Sequence, residues 1–118
     1  MIEITRLTEV FARRGDRFRD RVFTVEEIAY CESRAARMES YAARFAAKEA
    51  AMKALGTGWG DGVGWHDIEV RRSPAGVPSL EFHGRARERL NELGARRAHL
   101  SLTHSRDLAL AQVILEGD

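Results

Sequence analysis

One cysteine, two prolines and a net charge of only +1 mark what this 118-residue sequence does without. With Cys31 alone, neither an internal disulfide nor a zinc site built on several thiolates can form. No apolar run approaches the ~20 residues that cross a bilayer as a helix. The first residues, MIEITRLTEV, lack the basic-then-apolar order of a secretory signal. The small net charge argues against a protein built chiefly to neutralise nucleic-acid phosphates. These absences predict a cytoplasmic protein with neither nucleic acid nor a membrane as partner. Internal repeats and low-complexity linkers are missing too, so residues 1–118 read as a single domain around one core.

What is present is strongly patterned. Ile4, Leu7 and Phe11 recur at helical spacing. Gly15 and Asp16 interrupt them, leaving RFRDRVF as a connector or a second turn. In TVEE, Thr24 can cap the first free amides of a helix while Glu27 reaches back to it. That helix is expected to end near Ser33, and a longer one to run from about Arg37 to Leu55 with Gly56 as its stop. The loop GTGWGDGVG matches neither glycine pattern for nucleotide binding. WHDIEVRR and SLEFHG alternate as strands on either side of SPAGVP, and GRARERLNELG reads as a short amphipathic helix. RAHLSLTH and LALAQVILE form a closing hairpin around SRD. The predicted class is α+β, compact, with a long central helix packed on antiparallel sheet.

Glu49 is the residue that asks for an explanation. On a helical wheel it shares a face with Met38, Tyr41, Phe45 and Met52, opposite Ala43, Ala46, Ala47 and Ala50. A carboxylate in such company needs a cation. Lys53, four residues on, would give an ordinary helical ion pair worth a few tenths of a kcal/mol. A magnesium ion is the alternative, since it takes carboxylate oxygen and completes its shell with water and phosphate. In that case Arg44, Lys48 and Lys53 would contact phosphates.

His104, where a strand meets its turn, is either hydrogen-bonded to the loop or, with Ser101, Thr103 and Ser105, a phosphate contact. His66, His83 and His99 have no ligand-like spacing and read as surface or strand-face residues. Trp59 and Trp65 flank the glycine loop, available for packing or for stacking on a base. Arg6, Arg13 and Arg17, seven and four apart, form one helical stripe that is either solvated or turned to an acidic partner.

RFAAKEAAMKALGTG, WHDIEVRRSPAGVPSLEFHG and HLSLTHSRDLALAQVILE, preceded by EITRL and FRDRVFTVEE, closely resemble the holo-acyl-carrier-protein synthase family of small phosphopantetheinyl transferases. The likeness spans essentially the whole chain. It implies transfer of the 4′-phosphopantetheine arm from coenzyme A to a serine of apo-acyl carrier protein, with adenosine 3′,5′-bisphosphate as by-product. It also implies a homotrimer with each active site between two subunits. Carried onto this sequence, Glu49 becomes a magnesium ligand, and Lys53 contacts phosphate or helps deprotonate the serine. Arg44, Lys48, Gly56 and His104 become coenzyme A contacts, with the backbone from Gly76 to Pro78 shaping the adenine end. Arg6, Arg13 and Arg17 become the docking stripe for an acidic carrier protein.

One departure matters. The family begins with a strand of the form G-I-G-x-D whose aspartate is a second metal ligand, and Met1 stands where the next residue would be. A misassigned start, a shortened form and a real loss of metal binding compete as explanations. For the chain as written, the expectation is a sheet lacking an edge and weak activity. The rival function is then a homologue that binds coenzyme A or carrier protein without transferring the arm.

Overall fold

The computed structural model describes residues 1–57 and 62–117. Trp59 and the glycines at 58 and 60 lie outside the described residues, and so does the choice between packing and stacking for Trp59.

Strand β1 (Ile2–Glu3) leads directly into α1 (Ile4–Arg14), which buries Ile4 and Leu7. Gly15 adopts φ 61°, a conformation that costs a glycine little, and its N–H bonds back to Phe11. The chain then re-enters a helix, α2 (Asp16–Val22), so most of RFRDRVF is helical rather than a connector. Both halves of the predicted capping box form at the start of α3 (Val25–Glu32). Helix α4 (Arg37–Leu55) has the predicted bounds, and Gly56 stops it at φ 71°. A single 3-10 turn, Trp65–Asp67, occupies the start of the expected strand, which begins only at β2 (Ile68–Arg72). There Asp67 Oδ2 accepts the Gly64 amide at 3.0 Å, a local bond that competes with strand pairing. The remainder follows the sequence pattern: β3 (Pro78–Phe82), α5 (Gly84–Glu92), β4 (Ala95–His104) and β5 (Leu108–Gly117).

The strands form two antiparallel groups, a β2–β3 hairpin and a three-stranded sheet in the order β1-β5-β4. The expectation of a missing edge is corrected here. Ile2 and Glu3 pair with Ala109 and Leu108, so the first residues of the chain supply an edge strand beside β5.

Helix α4 lies against β5 and β4 at the centre of the molecule. Ala42, Ala43, Ala46, Ala47 and Ala51 are all at most 3% exposed, and their small side chains let the helix axis approach its neighbours closely. Phe23 and Phe11 each lie 4.9 Å from the Tyr41 ring, covering the helix's N-terminal half. Along β5, Ala109, Ala111, Val113 and Leu115 face the core, as the period of two requires. Leu108, Leu110 and Ile114 face outward and remain 38%, 48% and 53% exposed. Among the described residues no helix is long and apolar enough to cross a membrane.

Candidate active site

Glu49 opens onto a cavity of about 470 Å³. Pairing with β5 fixes β1, which brings Met1, Ile2 and Glu3 to one side, and the first turns of α1 add Arg6, Leu7 and Val10. Phe18 from α2 and Phe45 from α4 close the rest. Mostly apolar walls therefore carry two carboxylates, Glu3 and Glu49, and one guanidinium, Arg6.

Glu49 is half-buried, and among the described residues it makes no hydrogen bond or ion pair. Of the two alternatives for balancing Glu49, the helical pair with Lys53 is not formed, and Lys53 is exposed. This is the departure from an ordinary protein surface. A carboxylate partly withdrawn from water normally has a partner, and this one faces a hollow instead. Glu3 went unnoticed in the sequence because nothing in its spacing connects it to Glu49; only the β1–β5 pairing brings them to one cavity.

Lys48 has a different place from the one expected, and its assignment as a coenzyme A contact is corrected. Its side chain is fully buried, with Nζ 2.8 Å from Glu27 Oε1. The same nitrogen donates to the carbonyls of Trp65 at 2.9 Å and Ile68 at 2.7 Å, which uses all three of its protons. Burial pulls the ammonium below its usual pKa range, and the attraction of Glu27 works against that pull. Glu27 is equally occupied: Oε1 accepts the Thr24 amide and Oε2 the Val70 amide, each at 2.8 Å. The sequence revealed half of this arrangement, the cap, but not that the capping glutamate also serves a lysine 21 positions away.

Arg44 is also buried, at 2% exposure, and its Nε has no hydrogen-bond partner. Its guanidinium carbon sits 4.1 Å from the Tyr30 ring centroid, with that of Arg72 5.4 Å away. Together with Arg71 and Val70 they line a hollow of about 200 Å³. Five residues separate Arg44 from Glu49, roughly 140° around the helix, so the two face different hollows. Arg72 donates to the Gly76 carbonyl at 2.7 Å, which ties the predicted Gly76–Pro78 turn to the Arg44 side. Gly56 lies at the far end of α4, where Arg89 donates to the adjoining Leu55 carbonyl.

His104 ends β4 with Nδ1 3.6 Å from Glu39 Oε2 in the first turn of α4. Glu39 and Glu49 are ten residues apart, about 15 Å along the helix, so one chain does not bring His104 to Glu49. Ser105 Oγ accepts the amides of Asp107 and Leu108 and thereby holds the turn. The other histidines are surface or strand-face residues: His66 lies 2.7 Å from the Asp20 carbonyl, His83 beside Glu69, and His99 beside Glu116. Trp65 packs, 8% exposed and stacked 5.2 Å from Phe45.

The single arginine stripe is corrected as well. Because α1 ends at Arg14, Arg17 belongs to α2, and Arg6 lines the Glu49 cavity. Arg13 and Arg17 instead join Arg14 and Arg21 around a neighbouring hollow of about 400 Å³, with Phe18 bordering both hollows.

Two other groups carry no chemistry of this kind. Glu69, Glu81 and His83 cluster closely enough to hold an ion. Arg71 already fills that role, with Nε 3.2 Å from Glu69 and 2.7 Å from Glu81. Burial pushes the Cys31 thiol up to about 12, which leaves it unreactive near neutrality.

The model of the 4′-phosphopantetheinyl transferase superfamily matches residues 2–112. The chain is 53% identical over 116 residues to a holo-[acyl-carrier-protein] synthase of Koribacter versatilis, a match covering 98% of this chain and 93% of that one. Among solved structures, the holo-[acyl-carrier-protein] synthase of Neisseria meningitidis superposes with a TM-score of 0.89 at 30% identity, over 98% of this chain and 92% of the other. The Bacillus anthracis enzyme, solved in complex with coenzyme A (3′,5′-ADP), gives 0.79 at 36% identity, over 99% and 91%. With its helices, its two antiparallel groups of strands and its Glu49 cavity all on one continuous match, the chain belongs to the holo-acyl-carrier-protein synthase family of the 4′-phosphopantetheinyl transferases.

Proposed function

We propose that the chain transfers the 4′-phosphopantetheine arm of coenzyme A to a serine of apo-acyl carrier protein. The serine oxygen bonds to the phosphorus nearest the pantetheine, and the bond from that phosphorus to the bridging oxygen breaks. Adenosine 3′,5′-bisphosphate leaves, and the serine proton is lost. The observation that carries this reading is Glu49, a half-buried carboxylate on a cavity wall with no bonded partner among the described residues.

The donor set suits magnesium: carboxylate oxygens from Glu49 and Glu3 on one hollow, and no thiolate or imidazole among its lining residues. When bound, the ion supplies charge neutralisation at the diphosphate. Lys53, one turn beyond Glu49 and exposed, donates to the phosphate oxygens. Arg44, with Arg72 and the Gly76–Pro78 turn, receives the nucleotide end, and His104 contacts phosphate. Because His104 lies about 15 Å along α4 from Glu49, a site using both residues draws them from two copies, which supports the homotrimer. The exposed outward face of β5 offers the apolar surface such an assembly needs. Ile114→Asp is therefore expected to lower the sedimentation coefficient to that of one chain and to remove transfer with it; an unchanged assembly counts against this face.

The direct test incubates the protein with apo-carrier protein, coenzyme A and magnesium and reads the intact mass of the carrier. One added phosphopantetheine is expected, and none at any magnesium concentration overturns the reading. No observation among the described residues favours the alternative of a homologue that binds without transferring. For the carrier protein, Arg13 and Arg17 form the electropositive approach. Reversing both charges (Arg13→Glu with Arg17→Glu) is expected to raise its KM about tenfold or more, since each close charge pair lost at an interface costs on the order of 1 kcal/mol. The KM for coenzyme A should stay within twofold, and equal effects on both substrates would remove the arginines from docking.

A further inference from the structure

We propose that the buried Lys48–Glu27 pair is a positioning device for Glu49: it locks the rotation and the axial register of α4 against the Trp65–Val70 segment and so sets the cavity wall. The inference rests on the role given to Glu49 above and adds residues to it.

The need for such a device follows from α4 itself. Large apolar side chains, Tyr41 and then Met52 and Leu55, anchor its two ends, but between Tyr41 and Met52 the buried positions other than Arg44 and Lys48 are all alanines: Ala42, Ala43, Ala46, Ala47 and Ala51. Small, similar side chains allow close approach but present few knobs that would oppose a slip or a rotation of the helix. Directional bonds do oppose it. At one point on α4, Lys48 Nζ reaches Glu27 Oε1 at 2.8 Å, the Trp65 carbonyl at 2.9 Å and the Ile68 carbonyl at 2.7 Å. Glu27 carries the constraint onward to the Val70 amide at 2.8 Å and to the start of α3. These atoms come from four elements, α4, α3, the Trp65–Asp67 turn and β2, so all the bonds are satisfied together in one placement of the helix. Fixing register is the best-attested use of a buried polar group.

The path from the pair to the cavity is short. Glu49 is the next residue on α4, so any rotation of Lys48 rotates Glu49 equally. In addition, Lys48 holds the backbone of Trp65, whose ring stacks on Phe45 at 5.2 Å and 25°. Phe45 is the wall residue one turn before Glu49. Lys48 thus constrains the carboxylate and its apolar neighbour at once without touching the cavity.

A purely structural pair would behave differently from a positioning one, and the double substitution Lys48→Met with Glu27→Gln separates them. It removes both charges together, keeps similar volumes, and leaves an amide oxygen to accept from Val70 or Thr24. The expected result is a cooperative melt, with kcat at least tenfold below the parent. The KM for coenzyme A should change less than threefold, and Mn2+ affinity, titrated by electron paramagnetic resonance, should weaken at least fivefold. Lys48→Arg provides the second variant. It keeps the charge pair but alters the reach to the two carbonyls, and it is expected to lower kcat and Mn2+ affinity in the same direction. A folded double variant with kcat and Mn2+ affinity within twofold of the parent overturns the proposal. If neither variant folds, the pair is a requirement of the fold and the proposal fails too. A parent that neither transfers nor binds Mn2+ sinks the role assigned to Glu49, and the inference with it. A parent that does both, matched by its variants, sinks this inference alone.

Discussion

Glu49→Gln is expected to lower kcat/KM for phosphopantetheine transfer by about 100-fold or more, the scale at which removing one dedicated electrostatic group acts, while the protein melts within a few degrees of the parent. The two halves of this result have separate causes. Glu49 has no hydrogen bond or ion pair among the described residues, so the fold loses no interaction when the charge goes. Gln has nearly the same shape and keeps the contacts of the side-chain stem beside Phe45. The function loses more, because a neutral amide is a poor ligand for a hard divalent ion and no longer offsets its charge beside a diphosphate. Initial rates with varied coenzyme A and magnesium, together with a thermal melt, check both halves. A variant within threefold of the parent would remove Glu49 from the mechanism, and a large loss of melting temperature would return it to the core.

That Glu49 stands apart was legible in the sequence, because the wheel put a carboxylate among Tyr41, Phe45 and Met52 and left only two ways to balance it. The choice between them was not legible, since a pair at i and i+4 is equally available on paper whether or not the side chains meet. The caps of α3 and α4 were readable to the residue: Thr24, Glu27 and Gly56 act within one turn of the chain. Long-range geometry escaped. Lys48 looks like a surface lysine among alanines until Glu27, Trp65 and Ile68 converge on it from three other elements. Arg6, Arg13 and Arg17 look like one stripe until Gly15 breaks the helix between the second and the third. The WHD residues failed locally for a different reason. Asp67 accepts the Gly64 amide and turns the chain before the strand can start.

Lys48→Met is expected to produce the largest loss of stability of any single change at the site, on the order of 3–5 kcal/mol. The parent network is complete: every polar atom of the Lys48 and Glu27 side chains has a partner, and neither side chain reaches water. Removing the ammonium leaves a fully buried carboxylate without its cation and two carbonyls without their donor, and the apolar methionine can answer neither. For a chain of this length such a loss corresponds to a drop of roughly 10–25 °C in Tm. The sign of the coupling is the sharper test. Adding Glu27→Gln to Lys48→Met removes the uncompensated charge, so the double variant is expected to melt above the single one although it departs further from the parent sequence. A single variant that melts with the parent would mean that water reaches Glu27, and the buried pair would then have no role in holding α4.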